Sequence, residues 1–389
     1  MNIAFADRMS RLGTETAFEV LAKAKKLEAE GREIIHLEIG EPDFDTPDHI
    51  KEAAIKALRD GKTGYCPAPG IPELRQAIAD DAGQKRAVEF GPEEVVVTPG
   101  AKPIMYFVIT ALINPGDEVI YPNPGFPIYE SVINFVGGKA VPIPLREEMD
   151  FGFNVDEFAS LISDKTKLVI LNYPQNPTGG NLTARDLEKI ARLAVEKDFF
   201  VLADEVYNQI IYDGEFESIY RFPGMPERTI ILDGLSKTYA MTGWRLGYGI
   251  MPEALAEQVT RMVINSVSCT SHFSQYGALA AITGPQDDVK KMVQEFERRR
   301  DFIVRGLNKI KGISCKLPRG AFYAFPNIRG TGLTSRQMED RLLDEAGVAA
   351  LSGTAFGQYG EGYIRLSYAN SIENIGKALE KIEALVNKL

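Results

Sequence analysis

Two cations stand in a stretch that otherwise reads as core. In LSKTYAMTGWRLGY, residues 235–248, Lys237 and Arg245 lie among small, apolar and aromatic residues. Lys237 follows Ser236 at the end of the β-rich run RTIILDGLSK. A lysine at a buried strand end is desolvated, which favours its neutral amine, and a neutral amine can attack a carbonyl to form a Schiff base. The plainer reading is a lysine that reaches solvent. Arg245 can pair with a carboxylate or a phosphate, or close a structural salt bridge. Three further strand ends carry polar groups. Gly100-Ala101-Lys102 follows VVVTP and opens a helix, whose first N–H groups offer an anion site or simply a turn. NPTGG follows LVILNYP and sets Asn176 before Pro177, a composition suited to turns. Asp204 ends the apolar run of FFVLADEVY, with Tyr207 three residues on. A carboxylate there is costly unless a cation or donor pairs with it; it can also cap a helix. Each group has a structural explanation alone, but together they are a lysine amine, a carboxylate, an anion cradle and amide and phenol donors.

The elements that must position them alternate. From about residue 95, EVVVTPG, DEVIYP, KLVILNYP, DFFVLADEVY and RTIILDGLSK read as strands, and AKPIMYFVITALI as a helix. TARDLEKIARLAVEKD is amphipathic, with Leu187, Ile190, Ala191 and Ala194 on one face. Near-continuous apolar strands separated by helices imply a parallel sheet covered on both faces, with ligands at the C-terminal strand ends. Near residue 285 the pattern changes. DDVKKMVQEFERRRDFIVRGLNKI is one long charged helix, followed by AFYAFPNI and GYIRLSYA as strands and by two helices. The expected division is an N-terminal arm and part of a small domain over 1–45, a large domain over 46–287, and a C-terminal small domain over 288–389. The fold class is therefore α/β, with a large mostly parallel sheet and a smaller α+β unit built from both chain ends.

Composition narrows the partners. At 389 residues the chain exceeds the roughly 250–300 at which a single core stops growing. Lys+Arg total 44 against 54 Asp+Glu, so a net charge of -10 argues against a nucleic-acid surface. An acidic chain binds an acidic small molecule only through a local cluster of cations, which gives each pocket lysine or arginine weight. Cys66, Cys269 and Cys315, and His36, His49 and His272, are scattered without metal-ligand spacing, so no metal site is expected. No signal-peptide apolar region and no run of about 18 apolar residues is present, which points to a cytoplasmic protein without a membrane partner.

The ordered motifs EIGEPDFDTP at 38–47, GYCPAPGIPELRQAI at 64–78, TPGAK at 98–102, PGDEVIYPNPGF at 115–126, YPQNPTGG at 173–180, ADEVY at 203–207, LSKTYAMTGWRLGY and YIRLSYA at 363–369 span essentially the whole chain. In these the chain resembles class I aminotransferases of PLP fold type I, and among them the bacterial aspartate aminotransferases. The resemblance implies pyridoxal 5'-phosphate as cofactor and a seven-stranded large-domain sheet. It implies that Lys237 holds the cofactor and moves the proton, that Asp204 pairs with the ring nitrogen, and that Asn176 and Tyr207 bond its phenolic oxygen. Phe126 would stack on the ring. Gly100, Ala101, Lys102, Ser236 and Arg245 would meet the phosphate, as would Tyr65 from a second subunit, which implies a homodimer with shared active sites. Gly234 stands where many relatives have Ser. Arg365 would grip the substrate α-carboxylate beside Gly40, with EPDFDTP and the N-terminal arm as a mobile cover.

The substrates so implied are amino acids and 2-oxo acids. Lys102 matches a position that supplies the cation for a distal carboxylate, and Thr16 a hydroxyl in the covering arm. Both favour aspartate, glutamate, oxaloacetate and 2-oxoglutarate. Alanine, aromatic amino acids or prephenate are the alternative donors and acceptors. A C–S lyase or an aminocyclopropane carboxylate synthase-like enzyme is the alternative chemistry on the same fold. A PLP-sensing regulator would need an added DNA-binding module, which the chain does not carry.

Overall fold

The computed structural model describes residues 3–152 and 154–389. A short strand β1, Ile35–His36, precedes the large sheet. That sheet is built from β2 (Val95–Thr98), β3 (Glu118–Asn123), β4 (Lys139–Pro144), β5 (Thr166–Asn172), β6 (Phe200–Asp204), β7 (Thr229–Gly234) and β8 (Gly247–Ile250). Its order is β2-β8-β7-β6-β5-β3-β4. The pairs from β7 through to β4 are parallel, and β8 runs antiparallel to both its neighbours. Every residue of β2, β3, β7 and β8 is buried, as near-continuous apolar runs covered on both faces require. β4 lies at one edge with Pro142 and Pro144 in it, and an edge is where a strand tolerates residues that cannot donate to the ladder.

The covering helices follow their apolar stripes. Helix Ala184–Lys197 buries Leu187, Ile190, Ala191 and Ala194, and Thr183 caps it in a reciprocal box with Asp186. Helix Lys102–Leu112 starts at the cavity edge of the sheet and buries Ile104, Met105, Phe107, Val108 and Ile109. The long helix Asp287–Leu307 buries Val289, Met292, Phe296, Ile303, Val304 and Leu307 against the C-terminal strands. Those strands are β9 (Tyr323–Ala324), β10 (Val348–Ala349), β11 (Leu351–Ser352) and β12 (Ile364–Ser367). AFYAFPNI yields only the two residues of β9.

β11, β12 and β9 form an antiparallel sheet, and β1 pairs in parallel with β10 through Ile35↔Val348. The pairing of β1 carries the N-terminal segment into the C-terminal unit, so that Glu38 and Gly40 leave β1 beside Arg365 on β12. The Arg365 guanidinium donates to the Glu38 carbonyl. Among the described residues no helix is long and apolar enough to cross a membrane.

Candidate active site

The register of the large sheet explains why Lys237 and Arg245 are close. Gly247 on β8 faces Gly234 on β7 and Thr98 on β2. The loop that leaves β7 after Gly234 therefore returns to the same sheet edge, carrying Lys237 near its start and Arg245 near its end. The backbones crowd there. A Cβ on Gly247 would lie 2.3 Å from the Ala101 nitrogen, so glycine permits the approach. Arg245 adopts φ 56, a left-handed conformation that costs a non-glycine residue about 1–3 kcal/mol and marks functional sites. Its guanidinium passes so close to Gly100 that a Cβ there would lie 2.3 Å from Nη2. Arg245 Nη1 donates to the Thr242 carbonyl at 2.8 Å.

A cavity of about 600 Å³ opens at this edge. Four cations line it, Lys102, Lys237, Arg245 and Arg365, against three carboxylates, Glu15, Glu41 and Asp204. The local surplus of cations runs against the negative charge of the whole chain. Lys237 Nζ donates to the Gly40 carbonyl at 2.5 Å. Desolvation by burial, helped by Arg365 and Arg245, lowers its pKa to about 8.

Asp204 ends β6, and burial pushes its carboxyl up to about 7. It accepts from the Tyr129 hydroxyl and at 3.4 Å from the Val206 N–H. Among the described residues no basic side chain forms a salt bridge with it. Asn172, its cross-strand partner on β5, accepts the Asn176 N–H at 3.0 Å and so sets the turn that follows.

Arg365 comes from β12 and is buried. It donates to Asn176 Oδ1 at 3.0 Å, and its guanidinium lies 4.5 Å from the Tyr323 ring centroid and 4.9 Å from that of Phe356. Its Nε is buried with no hydrogen-bond partner, and among the described residues no carboxylate pairs with it. A buried guanidinium with an orphaned donor is a strong place for an incoming carboxylate. Tyr207 shares a 2.7 Å hydrogen bond with Tyr323. Gly40 is required for that arrangement, since a Cβ on it would lie 2.0 Å from the Tyr323 hydroxyl.

The structure thus gathers Gly40, Ala101, Lys102, Phe126, Asn176, Asp204, Tyr207, Ser236, Lys237, Arg245 and Arg365 around one space. Gly100 lies just behind, against Arg245. Tyr65 is not in its own chain's cavity and is 89% exposed. Thr16 precedes helix Ala17–Ala29 and does not line the cavity, whereas Glu15, Ala17 and Phe18 do. Lys102 does not point free into the cavity: its ammonium pairs with Glu15 Oε2 at 2.5 Å. EPDFDTP is fastened, with Thr46 donating to the Ala240 carbonyl at 2.6 Å and Asp43 paired with Arg299 at 2.6 Å. Sequence reasoning missed Tyr129, Tyr323 and Glu15, whose side chains reach the site from elements that carry no motif of their own.

The donor set fits pyridoxal 5'-phosphate. The Lys237 amine suits its aldehyde, the cation-free Asp204 suits a protonated ring nitrogen, and Arg245, Ser236 and the start of helix Lys102–Leu112 suit its phosphate. Comparison with known proteins points the same way. The family model described as aminotransferase class I and II matches residues 32–382. The chain is 43% identical to the aspartate aminotransferase of Pyrococcus abyssi over 361 residues, 92% of each chain. It is 40% identical to aromatic-amino-acid aminotransferase 2 of Thermococcus litoralis over 390 residues, 99% of each. The solved structure of aspartate aminotransferase from Thermus thermophilus with maleate superposes with a TM-score of 0.95 at 36% identity, covering 99% of this chain and 100% of that one.

Proposed function

The chain belongs to the class I and II aminotransferases, which depend on pyridoxal 5'-phosphate, and on that premise we propose that it moves the amino group between an acidic L-amino acid, aspartate or glutamate, and oxaloacetate or 2-oxoglutarate in a ping-pong cycle. The observation that carries the acidic reading is a fourth cation on the cavity wall, held by Glu15 in a partly exposed pair that an incoming carboxylate can replace. Arg245 serves the phosphate, Arg365 the α-carboxylate and Lys237 the chemistry, which leaves Lys102 at the cavity wall for a distal carboxylate.

The geometry supports the following roles. Arg365, held between two aromatic rings and by Asn176, receives the α-carboxylate in a two-pronged pair. Asp204 supplies negative charge to the ring nitrogen, and the bound cation in turn removes the penalty of its burial. Lys237, with a pKa near 8, takes the α-proton and returns it, because a group that titrates near working pH is efficient in both directions. The Gly40 carbonyl holds the same amine when it is free. Bound pyridoxal 5'-phosphate supplies the electron sink for the broken Cα–H bond. Phe126, exposed to the cavity, offers an aromatic face to the ring. In this reading residues 46–287 carry the cofactor, and segments 1–45 and 288–389 supply the substrate clamp.

Tyr65, so exposed in a single chain, supports a homodimer in which it reaches the phosphate end of the other subunit's cavity. A cytoplasmic enzyme agrees with its three cysteines all being free thiols.

A second reading, with aromatic amino acids or alanine as donors or prephenate as acceptor, has its own support. Phe18, Ile39, Met105 and Phe126 line the same cavity. The test is the visible spectrum of the cofactor-loaded protein before and after L-aspartate alone. Bleaching of the visible band with stoichiometric release of oxaloacetate is expected. No bleaching with aspartate or glutamate, but bleaching with phenylalanine, would replace the acidic reading by the second. With a cysteine S-conjugate as substrate, release of pyruvate, ammonia and a thiol, with no new amino acid formed from an added 2-oxo acid, would replace transamination by a lyase reaction.

A further inference from the structure

Lys102 has a partner of its own. Glu15 Oε2 lies 2.5 Å from Lys102 Nζ, and both residues line the cavity. Glu15 therefore already occupies the cation that the acidic reading assigns to a substrate carboxylate. The pair is partly open to solvent, with the Lys102 side chain 46% and that of Glu15 22% exposed. Pairs this exposed hold weakly and exchange readily with a competing anion.

The arm that carries Glu15 is fixed on both sides of it. Arg11 donates to the Asn134 carbonyl at 2.9 Å, and the Gly13 N–H donates to Ser131 Oγ at 2.9 Å. Helix Ala17–Ala29 begins two residues after Glu15. The carboxylate can leave Lys102 by rotating its own side chain, with the arm staying in place.

The surroundings make the two states of the pair chemically different. Lys102 Nζ sits 5.2 Å from the Phe126 ring centroid, and Phe18, Ile39 and Met105 line the same cavity. With the pair closed, this end of the cavity is neutral overall and aromatic, suited to an uncharged side chain. With Glu15 displaced, it presents a bare ammonium, suited to a carboxylate. Resting on the assignment of Lys102 above, we propose that Glu15 is a specificity-determining residue, an internal stand-in for the substrate's distal carboxylate that lets one site accept both acidic and aromatic amino acids. An acidic substrate must break the pair, and an aromatic one leaves it intact.

The experiment measures binding of two unreactive probes, maleate and 3-phenylpropanoate, to the cofactor-loaded wild type, Glu15→Gln and Lys102→Met by titration calorimetry. Glu15→Gln is expected to bind maleate roughly two- to fivefold more tightly, the equilibrium worth of a partly exposed pair, with 3-phenylpropanoate unchanged. In turnover the same variant lowers KM for aspartate and leaves its kcat, while KM for phenylalanine stays level. Lys102→Met weakens maleate and spares 3-phenylpropanoate. If Lys102→Met weakens maleate but Glu15→Gln leaves it unchanged or weaker, the competition is refuted and the acidic reading stands. If Lys102→Met does not touch maleate binding, the acidic reading falls and the proposal with it.

Discussion

Asp204 and Glu205 are neighbours in sequence, both buried at the end of one strand, and their surroundings are opposites. Glu205 takes four hydrogen bonds: from Arg86 Nε at 2.9 Å, Arg86 Nη2 at 2.5 Å, Ser218 Oγ at 2.7 Å and the Tyr173 hydroxyl at 3.3 Å. Asp233 joins the same cluster, accepting from Asn208 at 2.6 Å and Tyr248 at 2.9 Å. Asp204 has a phenol and one long backbone contact, and its carboxyl titrates near 7. Successive strand residues face opposite sides, so a single step along β6 crosses from one environment to the other. Where the fold buries a charge for its own stability, it satisfies that charge with its own atoms. Asp204, Lys237 and the Arg365 Nε are left incompletely matched by the fold's own atoms, which is what the proposed cofactor and substrate roles require.

If that contrast is right, the two sides separate activity from stability, and the largest effect comes from Lys237→Ala. Turnover should fall at least about a thousandfold, since the residue both anchors the cofactor and moves the proton. The unfolding midpoint of the cofactor-free protein should hold, because among the described residues the amine's only hydrogen bond is to one backbone carbonyl. Retained turnover in a steady-state assay would remove the assigned role.

The sharper comparison substitutes the two neighbours. Glu205→Gln should cost about 3 kcal/mol in urea unfolding of the cofactor-free protein, as expected when one member of a buried ion pair is removed and Arg86 keeps only its longer contact to Asp233 at 3.7 Å. Asp204→Asn should match wild-type stability near pH 4, exceed it near pH 7, and lower kcat/KM about a hundredfold, the scale of losing a preorganised electrostatic partner at the reacting group. pH distinguishes them further. The folded carboxyl of Asp204 titrates at about 7 and the unfolded one at the ordinary 3.8. Between these values the folded state holds a proton that the unfolded state has released, so Asp204 makes stability decline as pH rises from about 4 to 7. That slope should flatten in Asp204→Asn. Equal losses of stability in both variants would dissolve the distinction between the two sides.

Much of the site was legible because strand ends are where an α/β sheet binds ligands. Asn176, Asp204 and Ser236-Lys237 each follow an apolar run, and five of the seven large-sheet strands carry that signal. β4 was hidden by Pro142 and Pro144, which are tolerated only because it is an edge. β8 was hidden because GYGI has two glycines, which admit the Gly100-Ala101 backbone and the Met251 and Ile104 side chains. Tyr129 and Tyr323 left no trace: a tyrosine in a helix and another in a two-residue strand become site residues only when the chain folds. Glu15 shows the limit most plainly. The arm residue expected to meet substrate was Thr16, and a turn into helix Ala17–Ala29 brings in its neighbour instead.

Glu38 lies between the two extremes, and it yields the smallest effect. It is wholly buried on the segment leading to Gly40; one oxygen meets His36 Nδ1 at 2.7 Å and the other has no partner. The Glu38 hydrogen bond, reinforced by Glu28 at 3.1 Å, raises His36 to about 9 from 6.5. A histidine whose folded pKa exceeds its unfolded one contributes stability in full below about 6.5 and loses it as pH rises through about 9. His36→Gln should therefore lower Tm by roughly a degree or two at pH 6 and by nothing at pH 10. A loss that persists at pH 10 would mean that His36 acts by packing and that Glu38 is satisfied without it. A loss confined to acid pH would place Glu38 with Glu205, among the charges the fold completes from its own atoms, even though its backbone carbonyl holds Arg365 on the side that waits for a ligand.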